Sequence, residues 1–163
     1  MKIISRLLVA GLLSTAAIAP AQAEVVKITL LGVGDVYNFA GGKTRGGMAR
    51  LNAVARAERA ANPNFLYLFD GDLLSPSLLS GLDKGENMVK LTNVVPFDLA
   101  VPGNHEFDFG TENFSEKMKL AAYPWGAINL SKADGSPVEG VGGVVMKDVA
   151  GVKLALVPVA QDT

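Results

Sequence analysis

Three groups of polar side chains follow the ends of predicted β-strands. Asp35 comes after the first strand, Asp70 and Asp72 come after the second, and residues 104–108 (Asn-His-Glu-Phe-Asp) come after the third. In an open α/β sheet the carboxyl ends of parallel strands lie along one edge, so these side chains are expected to converge. Carboxylate and amide oxygens suit hard or borderline divalent cations. Two such ions can orient a phosphate and activate a water, so the pattern predicts a metal-dependent site for phosphoester hydrolysis.

Each group by itself also has a structural explanation. Asp70-Gly71-Asp72 and Gly34-Asp35 are ordinary turn sequences, because Asp and Gly favour turns. Asn104 and His105 could instead cap the following helix, and Glu106 is interpreted as structural. Cysteine is absent and there is one histidine, so a metal ion would be held by oxygen and imidazole. The ordered combination of the three groups, rather than any one of them, favours a functional site.

Hydrophobic patterning predicts an α/β fold that would position these groups. Residues 65–69 are apolar at every position, which is typical of a strand covered on both faces in a parallel sheet. Residues 48–61 share an apolar face and end at Asn62-Pro63, which indicates a helix. The other predicted elements are strands at 25–31, 98–101 and 125–129, helices at 86–93 and 111–121, and a hairpin of 144–149 with 152–157.

Length and composition fit one ordinary globular domain. The chain has 163 residues, of which 49% are hydrophobic, and a net charge of -1. It lacks the basic footprint of nucleic-acid-binding proteins, so no such partner is expected. Lys2 and Arg6 precede an apolar run at 7–18 that is followed by Ala21-Gln22-Ala23, so residues 1–23 are predicted to be a signal peptide cleaved after Ala23. The run is too short to span a bilayer. We therefore expect a periplasmic or secreted protein without a membrane anchor.

The order of four motifs resembles one known group of enzymes. The four motifs are Asp35, residues 46–50 (Gly-Gly-Met-Ala-Arg), Gly71-Asp72 and residues 103–110 (Gly-Asn-His-Glu-Phe-Asp-Phe-Gly). Together they are similar to the motifs of the calcineurin-like metallophosphoesterase superfamily. More narrowly, they resemble its periplasmic 5'-nucleotidase and 2',3'-cyclic phosphodiesterase branch, for which the last string is specific. The resemblance implies a partial α/β/β/α sandwich in which residues 24–163 are the N-terminal portion of the catalytic domain. It also implies a small nucleotide or other phosphoester as substrate.

The resemblance implies a role for each matching residue. Asp35 would bind the first of two divalent metal ions, zinc, manganese or similar. Asp72 would bridge both ions, and Asn104 would bind the second. His105 would contact the scissile phosphoryl group, and Asp108 would orient the imidazole of that histidine. Such a carboxylate partner fixes the tautomer of a histidine and raises its basicity.

The sequence departs from the family pattern in two places. The family's Asp-x-His at the first strand, whose histidine binds the first metal ion, is here Asp35-Val36-Tyr37. A phenol keeps its proton until about pH 10, so Tyr37 either loses that proton as a metal binds or only packs nearby. The family's later Gly-His-x-His motif is missing, because His105 is the sole histidine. We expect a weakened or altered first metal site.

Three functional interpretations stay open at this point. In the first, the chain is a truncated part of a longer enzyme that hydrolyses nucleotide phosphoesters, and it is inactive by itself. This follows from the resemblance, because the family continues into further histidine ligands and a C-terminal substrate-binding domain. The second is a hydrolase of sulfur-linked esters from the same branch. The third is a noncatalytic metal- or ligand-binding domain, which Tyr37 and the missing histidines favour.

Overall fold

The chain forms a parallel β-sheet with helices between its strands. The computed structural model describes residues 25–44 and 46–161, so the predicted signal peptide lies outside the described residues. The elements in chain order are β1 (Thr29–Val33), α1 (Met48–Ala61), β2 (Phe65–Phe69), α2 (Ser80–Asp83), α3 (Glu86–Thr92), β3 (Leu99–Ala100), a 3-10 helix (Asn104–Phe107), α4 (Gly110–Leu120), β4 (Trp125–Gly126), β5 (Val141–Gly142), β6 (Val145–Val149) and β7 (Val152–Leu156).

The first three strands end level with one another. The sheet has the order β1-β2-β3-β4-β5, and all four strand pairs in it are parallel. Val33 at the end of β1 is paired with Phe69 at the end of β2, and Phe69 is paired with Ala100 at the end of β3. The three loops that carry the candidate polar groups therefore leave the sheet at the same edge, as the sequence predicts.

An aromatic cluster forms the core on the helical side of the sheet. Its rings pack in edge-to-face and tilted pairs, with centroids 4.5 Å apart for Tyr67 and Phe97 and 5.4 Å apart for Phe114 and Trp125. Four of the five residues of β2 are buried and Leu68 is half-buried. The expected burial of both faces of β2 is thus largely met, and Leu68 lines a cavity that is also lined by residues 156–159.

The predicted hairpin is present. β6 and β7 pair antiparallel with Val149 opposite Val152, which leaves Ala150 and Gly151 as the two turn residues. Both have positive φ, 51° and 80°, and a two-residue turn of this kind fits the twist of the flanking strands. The turn sequence therefore sets the register of this pair.

The short elements differ most from the prediction. β1 begins at Thr29 rather than Val25 and continues to Val33, while the strands expected at 98–101 and 125–129 are two residues long. α2 and β5 are not predicted, because four- and two-residue elements with glycine carry no readable periodicity. Within the described part of the chain, no helix combines the length and apolar character that crossing a membrane requires.

Candidate functional site

The loops after β1 and β2 are joined by backbone hydrogen bonds. The amide of Asp70 donates to the carbonyl of Val33 at 2.8 Å, and the amide of Asp35 donates to the carbonyl of Gly71 at 3.0 Å. This pairing continues the register of the two strands past their ends. It brings the backbones of Asp35 and of the Asp70-Gly71-Asp72 turn side by side, although they lie far apart in the sequence.

Two of the predicted metal ligands have unusual backbone conformations. Asp35 has φ of 56° and Asp72 has φ of 68°, and they are two of the four non-glycine residues with positive φ in the described ranges. Such conformations are uncommon for residues with a side chain and persist where the surrounding structure imposes them. Strained residues concentrate at functional sites. Their coincidence with the sequence motifs supports a functional site at this edge.

The loop after β3 packs directly against the loop after β2. The amide of His105 donates to Oδ1 of Asp72 at 3.0 Å. Gly71 and Gly103 meet so closely that a Cβ on Gly71 would lie 2.7 Å from the Cα of Gly103. A Cβ on Gly103 would lie 2.3 Å from Oδ1 of Asp72. Glycine is therefore required at both positions by close approach, and at Gly71 also by its φ of 100°.

Glu106 joins these two loops. Its side chain is fully buried and accepts hydrogen bonds from the backbone amides of Asp72 (2.8 Å), Leu73 (2.6 Å), Leu74 (3.2 Å) and Gly103 (2.6 Å). Burial raises the pKa of the Glu106 carboxyl, and the four amide hydrogen bonds oppose that shift. Glu106 is interpreted as structural from the sequence, which does not reveal these contacts. One sequence signal could have indicated the contact with Gly103. Glu106 lies three residues after Gly103, and a Glu at the third position of a helix often accepts a hydrogen bond from the backbone amide of the residue before the helix.

His105 and Asp108 form the pair that the sequence predicts. Nδ1 of His105 lies 2.8 Å from Oδ2 of Asp108. The contact is possible because residues 104–107 form a 3-10 helix, in which side chains at positions i and i+3 lie above one another. The hydrogen bond from Asp108 raises the pKa of His105, and the same hydrogen bond lowers the pKa of Asp108. The charged form of the imidazole is thereby favoured, and Nε2 is the ring nitrogen not engaged by Asp108.

Tyr37 lies next to His105. The two ring centroids are 6.5 Å apart and the rings meet edge to face at 67°. This distance is within the range of interacting aromatic pairs. The tyrosine that stands in place of the family's histidine is thus in the neighbourhood of the candidate site. Its role as a metal ligand stays a prediction.

The donor groups at this sheet edge are of a type that suits a hard or borderline divalent cation. Among residues 25–44 and 46–161, no three His, Cys, Asp or Glu side chains form a group that could hold a metal ion. The donors at this edge that the sequence predicts as metal ligands are the carboxylates of Asp35 and Asp72 and the exposed amide of Asn104. Oxygen donors of this kind suit magnesium, manganese or zinc with water in the remaining positions. The number of ions that these donors bind therefore stays a prediction.

A cavity of about 480 Å³ lies beside Asp35. The Gly-rich loop and the first turns of α1 form its walls, including Gly47 and Met48. The loop is closed by the amide of Met48, which donates to the carbonyl of Phe39 at 3.0 Å. Gly47 has φ of 88° and a Cβ there would lie 2.4 Å from the amide nitrogen of Gly41. The cavity has the size of a small-molecule site.

Comparison with known proteins identifies a consistent group of relatives. A family model described as calcineurin-like phosphoesterase matches residues 28–152. The 5'-nucleotidase of Homo sapiens is 33% identical over 102 residues, which are 62% of this chain and 18% of that protein. The NAD nucleotidase of Haemophilus influenzae has the same fold, with a TM-score of 0.74 and 23% identity over 83% of this chain and 26% of the other.

A further similar structure is that of an enzyme with a different activity. The sulfate thiohydrolase of Thermus thermophilus superposes with a TM-score of 0.64 and 28% identity, over 71% of this chain and 22% of that one. In all of these comparisons the chain spans less than a third of the relative's length. The matches support the α/β fold and the sequence resemblance.

Proposed function

The chain belongs to the calcineurin-like phosphoesterase family, and from that premise we propose that the protein hydrolyses nucleotide phosphoesters. We further propose that residues 24–163 are the N-terminal portion of the catalytic domain. The small share of each relative's length that aligns supports this division. The similarity to a 5'-nucleotidase supports a nucleotide as the substrate.

The observation that carries the proposal is the convergence of three polar loops at one sheet edge. The family is metal-dependent, and in the proposed site Asp35, Asp72 and Asn104 would hold the divalent cations. Bound cations would supply Lewis-acid polarisation of the phosphoryl group. The backbone contacts between the loops after β1, β2 and β3 support this assignment, because they bring the segments that carry these donors together.

His105 and Asp108 handle charge and protons in the proposed reaction. Water adds its oxygen to phosphorus and gives up one proton, the bond from phosphorus to the nucleoside oxygen breaks, and that leaving oxygen takes up one proton. The Asp108 carboxylate holds the His105 ring at Nδ1, which directs Nε2 to the phosphoryl group or the leaving oxygen. The raised pKa of His105 favours an imidazolium, whose charge suits a phosphoryl group that gains negative charge.

The test is hydrolysis of AMP and of bis-p-nitrophenyl phosphate with added Mn²⁺ or Zn²⁺. We would assay the mature chain from Glu24 to Thr163 beside a form extended through its natural downstream sequence. We expect activity in the extended form, its loss in His105→Ala and Asp72→Ala, and none in the shorter chain. Glu116→Ala, on the exposed side of α4, is the control that should keep full activity.

Two other outcomes would redirect the assignment. If the extended form binds metal but is inert on both substrates, a noncatalytic binding domain becomes the better interpretation; Tyr37, in place of the family's histidine, favours that alternative. If it is inert on these substrates but cleaves a sulfur-linked ester, it belongs with the thiohydrolase, whose structural similarity supports that alternative.

Export is a separate part of the proposal. A signal peptide is supported by the basic residues Lys2 and Arg6, by the apolar run at 7–18 and by the Ala-x-Ala sequence that follows it. We propose that the mature protein is periplasmic or secreted. Mass spectrometry of the protein recovered outside the cytoplasm should give an N-terminus at Glu24. An intact Met1 or Lys2 N-terminus on that protein would contradict cleavage after Ala23.

A further inference from the structure

We propose that Glu106 is a positioning residue that fixes the Asp72 loop against the Asn104 loop, and so sets the spacing of their metal-binding side chains. The inference deepens the proposed function and rests on it for the roles of Asp72 and Asn104. Its evidence is geometric and lies in the contacts of one buried carboxylate. No reacting atom needs to touch Glu106 for this role.

The two oxygens of the Glu106 carboxylate have different partners. Oε1 accepts from the amides of Leu73 and Leu74 at 2.6 and 3.2 Å, so it binds the segment after β2. Oε2 accepts from the amide of Asp72 at 2.8 Å and from the amide of Gly103 at 2.6 Å. A single oxygen atom therefore bridges the loop after β2 and the loop after β3.

The contact with Asp72 holds a strained residue. Asp72 has φ of 68°, which is uncommon for a residue with a side chain, and its amide donates to Oε2 of Glu106 at 2.8 Å. Leu73 and Leu74 are fully buried, so their amides would lose their acceptor if the carboxylate were removed. An unpaired buried polar group is costly, and the turn would have to open to find another partner.

A second hydrogen bond closes the arrangement. Glu106 accepts from the amide of Asp72, and Oδ1 of Asp72 accepts from the amide of His105, one residue before Glu106. The carboxylate of Asp72 and the carboxylate of Glu106 are thus each held by the other's backbone segment. A shift of either loop would break both the hydrogen bond from the Asp72 amide to Glu106 and the hydrogen bond from the His105 amide to Asp72. This reciprocal pairing distinguishes Glu106 from a buried residue that only adds stability, because it fixes the Asp72 side chain itself.

The discriminating variant is Glu106→Gln, measured on the full chain. The amide of glutamine keeps the shape of the carboxylate but replaces one acceptor oxygen with an NH₂ group, which faces amide donors and cannot bond them. We expect Mn²⁺ affinity, measured by calorimetry, to fall about 10- to 100-fold, the usual effect of removing a group that orients a metal ligand.

Thr92→Val is the matched control. Thr92 is also buried, and its hydroxyl bonds the carbonyls of Met88 and Val89 and lies 2.8 Å from the hydroxyl of Tyr123, so these contacts involve no residue of the three loops. This variant should lose stability but keep Mn²⁺ affinity within about twofold of the parent, a change well below the effect expected for a ligand-orienting group. Equal affinity in Glu106→Gln and the parent would overturn the proposal. So would equal losses of affinity in Glu106→Gln and Thr92→Val.

Amide NMR of the same proteins separates this proposal from the proposed function and needs no metal. In the parent, the amide protons of Asp72, Leu73 and Gly103 should resonate downfield and exchange slowly, because they bond a carboxylate. In Glu106→Gln, the resonances from both loops should move together. If the parent binds no Mn²⁺, the proposed metal site is wrong. The NMR result then still shows whether Glu106 joins the two loops. Ordinary shifts and fast exchange in the parent would overturn it even if Glu106→Gln does not fold.

Discussion

Replacing Gly103 with alanine should damage the candidate site through one close contact. Gly103 has φ of -92° and ψ of -175°, an extended conformation that alanine adopts freely. The new Cβ would nevertheless lie 2.3 Å from Oδ1 of Asp72 and 2.9 Å from its amide nitrogen. The effect of Gly103→Ala is therefore expected to come from displacement of Asp72 and not from backbone strain.

The size of the displacement follows from these distances. Carbon and oxygen atoms of different residues approach to about 3.3 Å, so the Asp72 carboxylate must move by about 1 Å from its place. That movement also breaks the hydrogen bond from the His105 amide to Oδ1 of Asp72. Overpacking of this kind usually costs about 1–3 kcal/mol of stability. Misplacement of a functional group by about 1 Å can lower a rate about 100-fold.

The assay combines urea unfolding with Mn²⁺ calorimetry on Gly103→Ala, and AMP hydrolysis on the extended form. The matched control is Gly32→Ala in β1, whose Cβ would meet Oδ2 of Asp70 at an ordinary 3.5 Å. We expect the control to behave like the parent and Gly103→Ala to lose both metal affinity and activity. Should Gly103→Ala bind Mn²⁺ and turn over AMP as the control does, Asp72 is not the ligand proposed here.

Three further predictions concern the dyad and the buried tyrosines. Asp108→Asn should lower the pKa of His105, because the Asp108 hydrogen bond is the main cause of its rise; NMR titration of the ring protons checks this. The buried hydroxyl of Tyr67 has no hydrogen-bond partner among the described residues, whereas the hydroxyl of Tyr123 bonds that of Thr92. Tyr67→Phe should therefore raise the free energy of unfolding and Tyr123→Phe should lower it, each by about 1 kcal/mol. Urea titrations measure both changes. Burial raises the pKa of Tyr67 from 10.0 to about 12, so the unfolded chain loses this proton first and stability should fall as pH rises across that interval. Unfolding titrations of the parent and Tyr67→Phe should show a smaller alkaline loss in the variant, and an equal loss would contradict the assignment.

Much of the fold could be predicted because its signals are local. Helix α1 and strand β2 lie at the predicted residues, since each carries a continuous hydrophobic pattern and ends at a turn or a helix-stopping residue. The β6–β7 hairpin follows from the Ala150-Gly151 turn between two apolar runs. β5 and α2 were missed because so few residues, with glycine among them, give no period to detect.

The candidate site was partly accessible for the same reason. The contact between His105 and Asp108 spans three residues and needs only a local helical turn, which the sequence suggested. The bridge made by Glu106 spans 34 residues to Asp72, and no periodicity or turn rule links those two positions. The placement of Tyr37 against His105 depends on two separate loops as well. Such contacts are set by strand register, which local patterns do not encode.

The sequence by itself determined the α/β order of elements, the polar groups at the strand ends and the motif order that the family shares, because these depend on residue type and near-neighbour spacing. The tertiary structure decided which of those groups meet. The pairing of Val33 with Phe69 and of Phe69 with Ala100 levels the three strand ends. Glycine at 71 and 103 then lets the loops touch, and a buried carboxylate holds them there. These outcomes follow from parallel strand pairing between distant segments, whose register is fixed by the packed core and not by any one stretch of chain.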